Sequence, residues 1–230
     1  MKSLRTLILA LTIVVLSGTA ALANNSLVAS QAAALEGSWG LAVTVDGSPN
    51  KADVRNYCNG GVSNCPNDET TYRFSFLIDM NNTAMDDFSI VRIATVRSRS
   101  GGPMGLSNRN EAFVHVRYRD GQASPYKIRM ACRRDDNTWA QLGGHSLPPS
   151  GVRRVTVEWQ AASAPGANDG ICRIYVNTSA QSLILRAEDT GIDNDTRAIG
   201  EIWMGVDRVP ANMVGTFYYD SFESFRTLAP

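Results

Sequence analysis

One histidine, three arginines, a glutamate and a tyrosine stand out as side chains that could work together. His115 and Arg117 share one alternating run, Arg129 lies in the next, Glu158 in a third, and Arg173 and Tyr175 in a fourth. Each falls on the polar side of its run, so a period of two collects them on polar strand faces. Charged and amide groups of this kind hydrogen-bond sugar hydroxyls, and rings such as Trp139, Trp203 and Tyr175 stack on sugar faces. The chemistry they point to is carbohydrate recognition.

Catalytic patterns are weaker. Glycoside hydrolysis needs two carboxyls about 5–9.5 Å apart across the scissile bond. Asp220 and Glu223, three residues apart, face opposite sides of a regular strand, and Glu158 is a lone acid on its face. Asp86-Asp87 and Asp135-Asp136 read as solvated turn residues. No G-x-S-x-G nucleophile motif occurs, and neither histidine has a serine or acid companion. The Asp193-Asn194-Asp195 loop is rich in oxygen ligands for calcium, and the same residues also satisfy turn backbones.

The elements that must position these groups are strands. Apolar runs of strand length recur at 41–45, 72–79, 88–96, 112–119, 126–132, 152–161, 171–176, 182–186, 199–206 and 216–225, with an edge strand near 26–29. Turn-forming clusters such as Asp46-Gly47-Ser48-Pro49 and Asp120-Gly121 separate them. This is the pattern of an all-β sandwich. Only 81–88 suggests a helical turn. Val155, Val157 and Trp159 share one side of their run, and Trp39 and Trp159 read as core.

The first residues form a basic head (Lys2, Arg5), an apolar run from Leu7 to Leu16, and a small-residue end at Ala23. That order is a secretory signal peptide over residues 1–23, and no later stretch has the length and hydropathy of a membrane span. The chain has 22 basic and 22 acidic side chains. Lacking a basic excess, it is not expected to bind nucleic acid. Four cysteines in an exported chain favour two disulfides: a local Cys58–Cys65 staple and a Cys132–Cys172 bridge across the fold.

The blocks G-L-A-V-T-V-D-G (40–47), Y-R-F-S-F-L-I-D (72–79), V-E-W-Q-A-A (157–162), D-N-D-T-R (193–197) and G-T-F-Y-Y-D-S-F-E-S-F-R (215–226) resemble bacterial exported jelly-roll modules. These belong to the concanavalin A-like, laminin-G-like sandwiches, and the resemblance runs from about Ser26 to the C-terminus. It implies two curved antiparallel sheets with a concave face. It implies no single activity, because the fold serves lectins, glucanases, lyases and adhesion modules. Relatives pair an F-E-S-G-type opening strand with the closing strand at a calcium site. Here the opening motif is missing and Glu36 sits elsewhere in the pattern, which leaves Asp220 as the closing-strand candidate beside Asp193 and Asp195. Hydrolases of the class carry E-x-D-x-x-E on one strand; D-S-F-E (220–223) comes nearest, with Tyr218 in the place of the first acid. Lyases of similar shape use a His or Tyr base with Arg and Gln neutralising a uronate, types that His115, Arg117, Arg129, Gln160 and Tyr175 supply.

The expectation is therefore an all-β, two-sheet antiparallel jelly-roll sandwich, with a signal peptide at 1–23 and one domain over 24–230, secreted or periplasmic. Its expected role is non-catalytic glycan binding on a concave sheet through His115, Arg117, Arg129, Glu158, Arg173 and Tyr175. The alternatives are a structural or protein-interaction module of the cell envelope, then a polysaccharide lyase or glycoside hydrolase. No cofactor is expected beyond calcium at Asp193, Asp195 and Asp220.

Overall fold

The computed structural model describes residues 24–57, 67–99, 104–178 and 183–229. The leader and the Cys58–Cys65 pair lie outside the described residues. The strands are β1 (Ser26–Ser30), β2 (Gly40–Asp46), β3 (Ala52–Tyr57), β4 (Thr71–Asp79), β5 (Ile90–Ser98), β6 (Arg109–Tyr118) and β7 (Tyr126–Arg133). They continue with β8 (Trp139–Gln141), β9 (His145–Leu147), β10 (Arg153–Gln160), β11 (Gly170–Asn177), β12 (Leu185–Ile192), β13 (Glu201–Arg208) and β14 (Val214–Phe225). A single 3₁₀ turn follows β1 at Gln31–Ala33, and residues 81–88 form turns rather than a helix.

All pairings are antiparallel. One sheet runs β1-β2-β14-β4-β10-β11-β12; the second runs β3-β13-β5-β6-β7-β8, with β9 also pairing β7. This is the expected jelly-roll sandwich. The aromatic closing strand β14 lies inside the first sheet between β2 and β4, where β-favouring aromatics pack well on both neighbours.

Alternation decides what goes inside. Tyr72, Phe74, Phe76, Val155, Val157, Trp159, Phe217 and Tyr219 line the inner face of the first sheet, and Ile93, Val114, Ile128, Met130 and Ile202 meet them from the second. Tyr219 donates its hydroxyl to the Ile93 carbonyl at 2.8 Å across the layers. Cys132 on β7 and Cys172 on β11 form the expected bridge, with Cα atoms 6.4 Å apart, and so staple one sheet to the other. Trp159 is buried as expected. Trp39 is not core: it precedes β2 and remains 59% exposed.

Local features also depart from the sequence reading: the short strands β8 and β9 fall outside the runs read from the sequence, and β12 extends to Ile192 rather than ending at 186. β3 was not anticipated, because its Ala-Asp-Val-Arg-Asn-Tyr run is short and half polar, as suits an edge strand. In β14 the register shifts between Asp220, opposite Leu77, and Glu223, opposite Ser75, with Ser221 at φ 48°. Three β14 residues thus span two on β4. This β-bulge puts Asp220 and Glu223 on the same side, not on opposite sides.

Candidate ligand-binding face

The six polar residues singled out from the sequence do not share one surface. His115, Arg117 and Arg129 project from β6 and β7 on the outer face of the second sheet, whereas Glu158, Arg173 and Tyr175 project from β10 and β11 on the first. The two outer faces point away from each other, so no one ligand touches all six. Strand alternation groups residues within a strand; it carries no record of which sheet the strand joins.

The first-sheet trio is occupied with itself. Glu158 is 0% exposed; its carboxylate accepts the Tyr175 hydroxyl at 2.9 Å, pairs with Arg173 at 3.6 Å and accepts the Ala229 backbone N–H. Arg173 also holds Glu188 at 2.8 Å. Burial, followed by the hydrogen bond to Glu158, pushes the Tyr175 hydroxyl up to about 12. The end of the chain lies over this face, with Arg73 against the Phe225 ring at 4.3 Å.

The second-sheet trio has a different setting. Pairing sets Arg92 of β5, His115 of β6 and Arg129 of β7 in one row across three strands, each strand about 4.8 Å from the next. Arg117 and Lys127 form the adjoining row. Acids on this sheet are matched: Asp207 holds Arg92 at 2.9 Å as well as Lys51, Glu201 holds Arg97 at 3.3 Å, and Asp53 holds Arg55 at 2.8 Å. Arg117, Lys127, Arg129 and Arg133 have no carboxylate within ion-pair distance among the described residues. The Nε atoms of Arg117, Arg129 and Arg133 are buried without a hydrogen-bond partner in the protein, as is His115 Nδ1.

Aromatic rings line the same face. Phe113 lies under Arg92 at 4.3 Å and against Trp139 at 4.8 Å, and Arg133 lies over Trp139 at 5.4 Å. Trp139 stays partly exposed. Trp203, by contrast, is sandwiched between Arg55 at 3.9 Å and Arg97 at 4.1 Å, which leaves it 9% exposed. It holds guanidinium groups in place and offers no open ring for a sugar.

His115 is 8% exposed at the centre of this patch. Burial, then the charges of Arg129, Arg92, Arg117 and Arg208, lower its pKa to about 4, so it is neutral at pH 7. As pH falls, the unfolded chain with its ordinary value of 6.5 takes up this proton before the folded one does. The associated stability is whole above about 6.5 and is lost between there and about 4, by about 3 kcal/mol. Chemical unfolding at pH 7 and pH 4.5 should therefore show a steeper acid loss for the wild type than for His115→Gln. Parallel losses would rule out His115 as the source.

The calcium reading is corrected in its third member. Asp193 and Asp195 converge with Asp135, their carboxylate oxygens lying within 4.8 Å of one another. Asp220 is elsewhere: its Oδ2 accepts the backbone N–H groups of Leu35 and Glu36 at 2.8 Å each, and its Oδ1 accepts that of Ser221. Burial pushes Asp135 upward, but hydrogen bonds from Thr196 and Arg197 outweigh it and hold the carboxyl low. Desolvation and a hydrogen bond to Asp135 raise Asp195. Three oxygen ligands suit a hard cation, although Arg197 at 2.9 Å already supplies Asp135 with a positive charge. Asn194 between them is structural: its amide bonds the Gln160 carbonyl at 3.2 Å and the Ala162 N–H at 2.7 Å. Gly170 must be glycine to allow this, since a Cβ there would lie 2.0 Å from Asn194 Oδ1.

No known protein family matches the sequence, and comparison with curated proteins finds no relative. Solved structures do share the fold. The endo-β-1,4-glucuronan lyase of the fungus Trichoderma reesei is 12% identical, with a TM-score of 0.56 over 87% of this chain and 86% of that one. A carbohydrate esterase of Shiga toxin-encoding bacteriophage phi24B is 10% identical, with a TM-score of 0.51 over 88% and 86%. The PL7 alginate lyase AlyA1 of Zobellia galactanivorans is 10% identical, with a TM-score of 0.50 over 81% and 77%. At these identities the likeness establishes the sandwich alone.

Proposed function

We propose that the protein is an exported, non-catalytic module that binds an acidic polysaccharide across the outer face of the second sheet. The observation that carries this reading is the Arg92–His115–Arg129 row flanked by Arg117 and Lys127, a cationic patch with too few acids to neutralise it. Guanidinium groups bind carboxylates through charge-assisted, often bidentate hydrogen bonds, and orphaned donors on Arg117 and Arg129 are suited to such an acceptor. Trp139, beside Phe113, offers a partly open ring for a sugar face. Two solved examples of the fold are named as lyases of glucuronan and of alginate, which suits an acidic glycan. The Cys132–Cys172 bridge suits an oxidising compartment, secreted or periplasmic. Among the described residues no helix is long and apolar enough to cross a membrane.

The test is a titration of the exported protein with glucuronan, alginate and a neutral glucan, with and without calcium. Acidic chains should bind selectively, weaken as salt rises, and lose about tenfold affinity or more with Arg129→Ala, while Arg173→Ala on the opposite sheet changes nothing. Preference for the neutral glucan, or an inert Arg129→Ala, overturns the reading. Absence of any glycan binding would favour an envelope protein-interaction module. Binding that needs calcium and is lost in Asp193→Asn would assign a cation to the Asp135, Asp193 and Asp195 group.

One observation favours a lyase as the second reading: His115 is a neutral imidazole between guanidinium groups, suited to take a proton beside a neutralised carboxylate. Gln160 and Tyr175, which the sequence grouped with it, sit on the other sheet. No tyrosine whose side chain is described lies beside it to return the proton to the leaving oxygen. Release of ultraviolet-absorbing unsaturated uronates, abolished in His115→Gln, would replace the binding reading with this one.

A further inference from the structure

The basic face is not the one feature that could hold a ligand. A cleft of about 350 Å³ opens at the side of the sandwich, where β1, β2 and β14 of one sheet approach β3 and β13 of the other. Its walls are Trp39, Leu41, Val54, Met204, Tyr219 and Phe222. Trp39, Val54 and Phe222 remain exposed at its margin, although rings and branched chains of this size are stabilised by burial.

We infer that this cleft is a separate binding site for a neutral aromatic ligand of one or two rings. Three properties support that occupant. Its polar wall offers a ligand no unpaired charge: both Asp220 oxygens are taken by backbone N–H groups, the Ser221 hydroxyl is 2.9 Å from Glu36 Oε2, and the Tyr219 hydroxyl bonds to the far layer. Arg55 at the rim is held by Asp53 at 2.8 Å, which leaves the uncharged Asn56 amide as the polar group beside Val54. A charged guest would lose its hydration with no free counter-charge to replace it. Its apolar wall is aromatic and sulfur-bearing, and rings gain directional contacts from Trp39, Tyr219 and Phe222 and from the Met204 thioether. Its size is also sufficient, since an apolar cavity of about 150 Å³ already takes up benzene.

The backbone adds an independent sign. The β14 bulge holds Ser221 at φ 48°, a left-handed conformation that costs a non-glycine residue about 1–3 kcal/mol. That bulge is what brings Ser221 and Phe222 to the cleft wall. Bulges that re-aim side chains in this way concentrate next to functional sites.

The test uses N-phenyl-1-naphthylamine, a neutral dye that brightens when its rings are buried. The wild-type protein should give saturable enhancement at one dye per chain, reversed by naphthalene. Val54→Trp fills the cleft from a half-exposed edge-strand position and should weaken the dye about tenfold or more without lowering the melting temperature. Phe222→Ala should weaken it as well, by removing a wall, and Arg129→Ala should leave it unchanged, which separates this site from the glycan face. Unsaturable enhancement, or full affinity in a folded Val54→Trp, overturns the assignment. So does displacement by n-decanol but not by naphthalene, which would make the cleft an alkyl site.

Discussion

Replacing Cys132 and Cys172 together by alanine should lower the unfolding free energy by about 4 kcal/mol. The two residues are 40 apart in sequence, and a cross-link closing a loop of that length removes about this much chain entropy from the unfolded state. The position adds to the effect. β7 and β11 lie in different sheets, so without the bridge the layers are held mainly by apolar burial and the connecting loops. Both sulfurs sit in the fully buried core, where alanine leaves little new volume unfilled. Urea unfolding of the variant should show a lower midpoint and a steeper denaturant slope, because an uncross-linked unfolded chain exposes more surface. An unchanged midpoint would mean that packing alone holds the sheets together.

The sandwich was legible because alternation is local. Val155, Val157 and Trp159 alternate with Arg154, Thr156 and Glu158 within one strand, and that pattern needs no knowledge of neighbours to assign inside and outside. Sheet membership is not local. β6 joins β5 and β7, whereas β10 joins β4 and β11, and nothing in the spacing of His115 and Glu158 distinguishes those outcomes. The one polar surface read from the sequence therefore became two. Asp135 was missed as a partner of Asp193 for the same reason: the loops meet through a backbone hydrogen bond from Asp135 to the Asp193 carbonyl at 2.9 Å.

A signal for the candidate face was nonetheless present. The polar side of 113–119 reads Phe, His, Arg, Arg, and that of 127–133 reads Lys, Arg, Ala, Arg, with no acid on either. Counting charge face by face, instead of over the whole chain, would have marked these two strands as a basic patch inside a chain of balanced charge. It would also have drawn Lys127 and Arg133 into the site. The Arg92 contribution was hidden by the register shift next to it on β5, and Trp39 by its position just before β2 begins.

The loop that positions the face carries the other large expectation: Arg197→Met should cost about 3–5 kcal/mol. Arg197 is 6% exposed and sits between two acids, with Asp135 at 2.9 Å and Glu111 at 3.6 Å; its remaining donors reach the carbonyls of Arg134 and Asp135 and the Asn137 side chain. Removing one member of a buried pair leaves an uncompensated charge, and costs of that size follow. The stranded charge is Glu111, 1% exposed, whose pKa is already raised by burial despite the Ser98 hydrogen bond and Arg197 itself. Without the guanidinium it rises further. A carboxyl raised in the folded state contributes its full stability below the unfolded value and loses it as pH climbs through the folded one. The Arg197→Met deficit should therefore shrink as pH is lowered from 7 toward 5, and Glu111→Gln in the same chain should recover much of it. A deficit below about 1 kcal/mol, or one indifferent to both pH and Glu111, would sink the argument. Because residues 193–197 carry the chain from β12 of the first sheet to β13 of the second, the same variant should loosen the strand that holds Asp207 against Arg92. Acidic-glycan affinity should then fall with it even though Arg197 itself lies off the row.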